Sequence, residues 1–439
     1  MTLKAEWHGA PFTVTSITGV QNEELSERLD FDGTILDLVD QTVEQESNTF
    51  SQEFRLTSTP GGVATFGDQF EWLVGAYYYK DDAERSDDYP AGADTIISFL
   101  ATGGVPPFIR SPNLYQVDLD TESFALFGQG TVDLTDRLSL TLGLRYTEDQ
   151  KDFIYDASSP TSGLPPIVAD FVINDGDTFK STDPRITLDY QVTDDVLIYG
   201  TYSQGFKSGG VQYANAVPSL ASQIFQPETL KSYEAGVKSR LFDGRVQANA
   251  AAFFYDYEDQ QILNIITVGG IPTGFTENAG SSELTGFDLD VQAALTSDLT
   301  AVFSYGYLDS EFTSFNSISG TDLTGNQLPR APEHTIKAGL NYVHPLGDLG
   351  DLVLDGHYSW TDEYFFDAEN TPYAVQDSFS VVDLSASVEF HNGLTARVFC
   401  SNCGDEDIFT NFTVFSDGSG AIAALDYRQR YGVELKKTF

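Results

Sequence analysis

The sequence predicts an all-β protein, a transmembrane antiparallel β-barrel. Three observations lead there: long segments in which apolar and polar residues alternate, tight turns that alternate with long polar connections, and no apolar run that approaches the eighteen residues of a membrane helix. The alternating segments recur from Leu3 to Phe439 without a linker or a composition shift, so the chain reads as one continuous array although 439 residues would ordinarily suggest two or three domains.

The alternation runs as follows. LKAEWHG is the first clear strand. In RLSLTLGLRYT, Leu138, Leu140, Leu142, Leu144 and Tyr146 share one face, opposite Ser139, Thr141, Gly143, Arg145 and Thr147. Val246, Ala248, Ala250, Ala252 and Phe254 oppose Arg245, Gln247 and Asn249. Phe287, Leu289, Val291, Ala293 and Leu295 oppose Asp288, Asp290 and Gln292, and Val382 to Phe390 repeat the pattern. The chain closes on RYGVELKKTF, where Tyr431, Val433, Leu435 and Phe439 share a face that only Lys437 interrupts. Alternation alone does not say which face is inside. Length does more: nine to eleven alternating residues suit a tilted crossing of a hydrocarbon layer, whereas soluble strands average about five or six.

Tight turns fall at Thr135-Asp136, Asp243-Gly244 and Asn392-Gly393, and long polar connections at Lys80 to Thr121 and Gly404 to Asp426. One rim with hairpins and one with large loops is the pattern of an outer-membrane barrel, and a closed sheet is the only sheet that leaves no backbone group unpaired in lipid. The count is about seventeen strands. Single-chain bacterial barrels carry an even number, so the odd count implies that part of the barrel is absent.

Composition narrows the function. With 66 acidic and 23 basic residues the net charge is −43, which excludes general nucleic-acid binding, because a phosphate-binding surface needs clustered Lys and Arg. Acid concentrates in DDAERSDDYP (Asp81 to Pro90) and DQKDFIYDA (Asp149 to Ala157), which read as solvated loops between strands, with divalent-cation binding or solubility in high salt as the functional alternative. Asp30, Asp32 and Gly33 are a fragment of a calcium loop without the spacing that would complete it. MTLKAEWHGA lacks the features of a secretory signal, which points to a soluble cytoplasmic chain only if Met1 is the true start.

Several stretches together resemble the C-terminal part of the TonB-dependent receptors, outer-membrane transporters of iron complexes and similar nutrients. They are LTLGLRYTED (Leu140 to Asp149), YGTYSQGFKSGG (Tyr199 to Gly210), PETLKSYEAGVKSRLFDGRV (Pro227 to Val246), ENAGSSELTGFDLD, LPRAPEHT and the terminal YGVELKKTF. The second is the most recognisable. In the third, Pro227, Glu228, Glu234, Gly236 and Lys238 carry the match. The resemblance implies twenty-two strands around an N-terminal plug, preceded by a signal peptide and a box gripped by TonB. Residues 1–439 are therefore expected to be the barrel portion, N-terminally truncated, with the TonB complex a partner only of the full-length protein.

The resemblance also assigns the terminal strand. In the family, as in many outer-membrane barrels, the last strand is the signal read by the barrel assembly machinery, so Tyr431, Val433, Leu435 and Phe439 are its candidate residues. Cys400 and Cys403 have the spacing of redox or metal sites. On a regular strand they would lie about 10 Å apart on opposite faces, too far for a disulfide. The family often turns here, with Asn-Leu-x-Asp, and a turn at Ser401-Asn402 would bring the sulfurs together. A disulfide at the loop rim is favoured over two free thiols.

Catalysis finds no support. His8, His334, His344, His357 and His391 show no paired-ligand spacing, and no nucleophile elbow or nucleotide fingerprint appears in a strand-to-helix context, so no cofactor or metal is expected. Polar residues expected to face the lumen are Arg145, Arg245, Asp288, Asp290, Lys337, Arg428 and Arg430. Tyr115, Tyr213 and Phe225 are external aromatics suited equally to ligand contact or loop packing. The leading expectation is an energy-coupled outer-membrane receptor, set in the lipid of a Gram-negative bacterium, for a ferric siderophore or similar bulky nutrient. The alternatives are a passive plugless pore or a non-functional truncated barrel, and, third, a soluble β-rich binding protein.

Overall fold

Seventeen strands pair one after another, in chain order, in a single antiparallel sheet. The computed structural model describes residues 1–30, 40–89, 114–158, 170–212, 215, 217–268, 271–278, 280–317, 320–414, 421–426 and 428–438. The strands are β1 (Thr2–His8), β2 (Phe12–Asp30), β3 (Asp40–Ser58), β4 (Phe70–Asp88), β5 (Leu114–Thr135), β6 (Leu138–Ser158), β7 (Phe171–Thr193), β8 (Val196–Lys207) and β9 (Glu228–Leu241). After them come β10 (Val246–Glu258), β11 (Ser281–Ala294), β12 (Leu299–Ser314), β13 (His334–Pro345), β14 (Gly350–Thr361), β15 (Phe379–Phe390), β16 (Leu394–Ser401) and β17 (Arg430–Lys437). Among the described residues β1 pairs only with β2 and β17 only with β16.

The two faces of the sheet are opposite in character to those of a soluble sandwich. Leu142 and Leu144 are 51% and 55% exposed, while Thr141 and Thr147, which point the other way on the same strand, are buried. Cross-strand partners continue the apolar outer face: Leu126 lies opposite Tyr146, Gly128 opposite Leu144, and Tyr78 opposite Phe124. Aromatic pairs lie on it, with the Phe50 and Tyr78 rings 6.4 Å apart across β3 and β4 and the Tyr202 and Tyr233 rings 5.0 Å apart across β8 and β9. Among the described residues nothing covers this face, which suits hydrocarbon.

Strand length divides the sheet. β13, β14 and β15 each have 12 residues, which at ~3.3 Å per residue and a tilt of ~40° span roughly the apolar thickness of an outer membrane. β2 to β7 have 19 to 23 and rise well past it on the side opposite the tight turns.

This height corrects the reading of the acidic blocks as loops. Asp81 to Asp88 belong to β4 and Asp149 to Ala157 to β6, and the long connection expected from Lys80 to Thr121 is shortened by β4, which continues to Asp88, and by β5, which begins at Leu114. Within Gly404 to Asp426 a small ladder also pairs Phe409–Val414 with Ala421–Leu425. The physical reason is that the upper strands are covered on one side only. Phe153, Tyr155 and Ala157 are buried on the inner face, and the alternate residues Asp152, Ile154 and Asp156 point outward. The calcium-loop fragment at Asp32 and Gly33 lies outside the described residues.

The outward carboxylates meet across strands: Asp82 of β4 lies opposite Asp120 of β5, which lies opposite Asp152 of β6. Directly opposed like charges repel. Asp120 keeps its proton above the usual carboxylate range, first because it shares a hydrogen bond with Asp82. A native pKa above the unfolded one gives a contribution to stability that is complete below the unfolded value and is lost as pH rises through the native one. Asp120→Asn is neutral at every pH. It is expected to leave the melting temperature unchanged in acid and raise it slightly at pH 7; equal shifts at both pH values in a thermal unfolding series would contradict this.

Candidate ligand-binding mouth

Above the outer apolar band, the inner face of the tall wall carries an apolar cluster. Tyr115 and Val117 of β5 and Phe153, Tyr155 and Ala157 of β6 form a buried cluster, completed by Ala221 from the short helix α1 (Pro218–Ala221). Period-two alternation places these residues side by side. Burial raises the phenol pKa of both Tyr115 and Tyr155, so each stays neutral and keeps its proton to donate. Beside them Asp87, 1% exposed, is gripped by Arg85, whose Nε and Nη2 donate to its two carboxylate oxygens at 2.6 and 2.9 Å. Gln41 Nε2 adds a third bond to Asp87 Oδ1 at 3.0 Å.

The segment that follows β8 is pressed onto this wall. Its first residues end YGTYSQGFKSGG, and a Cβ on Gly209 would meet the Phe225 carbonyl oxygen at 2.4 Å and the Phe179 ring at 2.5 Å. Only glycine fits. Lys151 Nζ of the wall donates to the Gly209 carbonyl at 2.6 Å, and burial lowers the pKa of its ammonium. Farther on, the Tyr155 hydroxyl donates to Asn215 O at 2.9 Å and accepts from Asn215 N–H at 2.7 Å.

Side-chain amides then fasten this segment to the hairpin 261–278. Gln212 Nε2 donates to Thr276 O at 2.6 Å while Thr276 N–H donates to Gln212 Oε1 at 2.9 Å, which reproduces a strand pairing. Asn278 does the same for Gln226, with bonds of 2.7 and 2.8 Å. None of these clasps carries charge. Tyr155→Phe removes both bonds to Asn215 and leaves two buried backbone groups unpaired, an expected local cost of about 1–3 kcal/mol. Faster hydrogen exchange at the Asn215 amide is the check, and unchanged exchange would contradict the assignment.

A second loop body stands on the shorter strands. Phe312, Phe315, Leu323, Leu328, Ala331 and Ala368 form its core. Gln327 and Asn370 exchange two hydrogen bonds of 2.9 Å, Arg330 Nη2 donates to Asn411 Oδ1 at 2.9 Å, and the Arg330 guanidinium lies 5.5 Å from the Phe366 ring centre.

The residues predicted to face the lumen separate into groups. Arg145 is on the inner wall, its guanidinium 5.9 and 5.5 Å from the Tyr77 and Phe127 ring centres and its Nε donating to Thr147 Oγ1. Asp288 and Asp290 are on the inner face of β11. Ser304 Oγ donates to Asp290 at 2.6 Å, and Lys337 lies on the same row, opposite Ser304. Arg430 opens β17 opposite Ser401. Arg245 instead sits in a tight turn, where it donates to the carbonyls of Ala294 and Leu295, and Arg428 pairs with Asp407 at the loop rim. These residues do not converge on one site.

Tyr431, Val433 and Leu435 lie on the outer face of β17, 79%, 75% and 72% exposed, opposite Cys400, Val398 and Ala396; Phe439 lies outside the described residues. Cys400 and Cys403 are joined as a disulfide with Cα atoms 5.6 Å apart, the chain turning through Asn402 in the left-handed region. Tyr115 belongs to the buried cluster and the Phe225 ring packs on Gly210. Tyr213 is outside the described residues. Sequence reasoning missed Tyr155, Gln212, Asn215 and Asn278. The alternation of Phe153, Tyr155 and Ala157 held a signal for the first, and the loop amides offered none. Among the described residues no cluster of His, Cys, Asp and Glu has the geometry to hold a metal ion, and no helix is long and apolar enough to cross a membrane.

Comparison with known proteins places this architecture. The sequence profile of the family described as TonB dependent receptor-like, beta-barrel matches residues 6–403. The chain is similar to the metal-pseudopaline receptor CntO of Pseudomonas aeruginosa, 26% identical over 300 residues that cover 68% of this chain and 39% of the relative. It is also similar to the pesticin receptor of Yersinia pestis, 24% identical over 324 residues, 72% of this chain and 44% of that one. The chain thus matches about two-fifths of the length of these curated relatives. Among solved structures, the ferric yersiniabactin uptake receptor FyuA from Yersinia pestis superposes with a TM-score of 0.79 at 20% identity, over 100% of this chain and 60% of that one. The ferric citrate transporter FecA superposes with a TM-score of 0.69 at 14% identity, over 99% and 60%. These likenesses are of fold. With the family profile across most of its length, the chain belongs to the TonB-dependent receptors, with the fold of their β-barrel region.

Proposed function

We propose that this chain forms the greater part of the wall of an energy-coupled outer-membrane receptor that binds and imports a ferric siderophore or a similar bulky metal chelate. The observation that carries the reading is the covered mouth: a tall inner wall onto which an external segment is held by Lys151 and Tyr155, with neutral amides fastening that segment to the neighbouring hairpin 261–278. A passive pore has no need of such a cover, whereas a receptor that must hold a large ligand above its lumen does. The names of the relatives, a metal-pseudopaline receptor and a ferric yersiniabactin receptor, support a metal chelate as the ligand class.

Other partners follow from the same reading. The outer face meets outer-membrane lipid, β17 is the strand offered to the assembly machinery, and further strands complete the wall at the unpaired edges of β1 and β17. The TonB complex acts on the receptor as a whole. Titrating the receptor, purified with its native flanking sequence, against a panel of ferric chelates tests the ligand class. Saturable one-to-one quenching of its fluorescence by at least one chelate is expected. No binding, together with steady conductance in a planar bilayer, would favour the pore instead.

A further inference from the structure

At the rim of tight turns one connection is unlike the others. Seven run two to four residues, and the eighth, between β3 and β4, is the eleven-residue stretch 59–69. It is not loose. Gly62 N–H donates to Thr59 O at 2.8 Å, Val63 N–H to Pro11 O at 3.1 Å, and Phe70 N–H to Thr65 O at 3.0 Å. Trp72 Nε1 reaches back to donate to Val63 O at 3.0 Å.

The backbone is held in a costly shape. Ala64, Phe66 and Asp68 have φ of 59°, 49° and 67°, the left-handed region that non-glycine residues avoid at a cost on the order of 1 kcal/mol each. The result of that cost is to turn apolar side chains away from the protein. Phe66 is 76% and Val63 56% exposed, and the Phe66 ring stands 6.3 Å from that of Phe70. Phe70 in turn lies over Gly130, on the same apolar outer face as Val74 and Leu126. The turn therefore extends the outer face beyond the ends of the strands.

We propose that turn 59–69 is a membrane-interface anchor, which seats Phe66 and Val63 in the headgroup region of the phospholipid leaflet at the tight-turn rim. Aromatic rings are favoured at that depth, where one face meets acyl chain and the edge meets water. Continuity with the outer face selects lipid over a soluble partner, and the backbone bonds hold the ring at a fixed height. The anchor rests on the reading of the outer face as lipid-facing.

The test separates the two. Single nitroxide labels at Phe66→Cys, Leu142→Cys and Asp136→Cys, in the chain with its native flanking sequence reconstituted into phosphatidylethanolamine and phosphatidylglycerol vesicles, are read by collision with oxygen and with a water-soluble nickel complex. The expected result is a label at 66 that favours oxygen over nickel by several-fold relative to 136, with the label at 142 in lipid. A label at 66 as open to nickel as that at 136, while 142 remains in lipid, overturns the anchor alone. A label at 142 open to nickel overturns the lipid-facing reading and the anchor with it. Val63→Cys serves where Phe66→Cys does not assemble.

Discussion

Arg85→Ala is expected to destabilise the top of the tall wall by about 3–5 kcal/mol, because it strands the Asp87 carboxylate in a site that is 1% exposed. The pair is bidentate and Gln41 supplies only one further donor, so an unpaired charge would remain buried between β3 and β4. Adding Asp87→Asn to Arg85→Ala removes that charge and is expected to recover a large part of the loss. Denaturant unfolding of the four members of this cycle reads the coupling. A cost below about 1 kcal/mol for Arg85→Ala, the range of a surface pair, would show that water reaches Asp87.

Gly209→Ala is the second large effect. The added methyl has no free direction: the Phe225 carbonyl oxygen and the Phe179 ring both stand within 2.5 Å of its position. The oxygen is backbone and does not swing aside, so the segment after β8 must lift from the wall. Overpacking of this kind costs about 1–3 kcal/mol, and here the cost falls on one contact of the cover. The Lys151 bond to Gly209 O and the Tyr155 bonds to Asn215 are expected to weaken together, making the segment 208–227 a preferred site of limited proteolysis while the sheet stays intact. An unchanged digestion pattern would mean that the segment is not held by this approach.

The sheet was legible because its physical cause is local. Apolar and polar residues alternate wherever a strand separates two environments, and Leu138 to Thr147 or Phe287 to Leu295 show this without help from neighbours. The upper halves of β4 and β6 were not legible as strands. In DDAERSDD charges occupy both faces, since Arg85 and Asp87 are an inward pair, and charge on both faces looks like solvent. In DQKDFIYDA the alternation of Phe153, Tyr155 and Ala157 was present but short and surrounded by acid.

The mouth was less legible still. Its clasps are formed by the side chains of Gln212, Asn215 and Asn278, which act on backbone groups dozens of positions away, and neutral amides carry no periodicity. Arg245 and Arg428 show the converse limit. Their charge suggested the lumen, yet turn carbonyls and Asp407 hold them at the two rims.

The most direct test of the account is uptake of radiolabelled iron, presented as the chelate that binds best, by cells whose only receptor of this kind is the product of the gene encoding this chain. Saturable uptake that stops when a protonophore collapses the energy gradient is the predicted result. Uptake that rises linearly with concentration and ignores the protonophore would contradict an energy-coupled receptor and leave a passive pore.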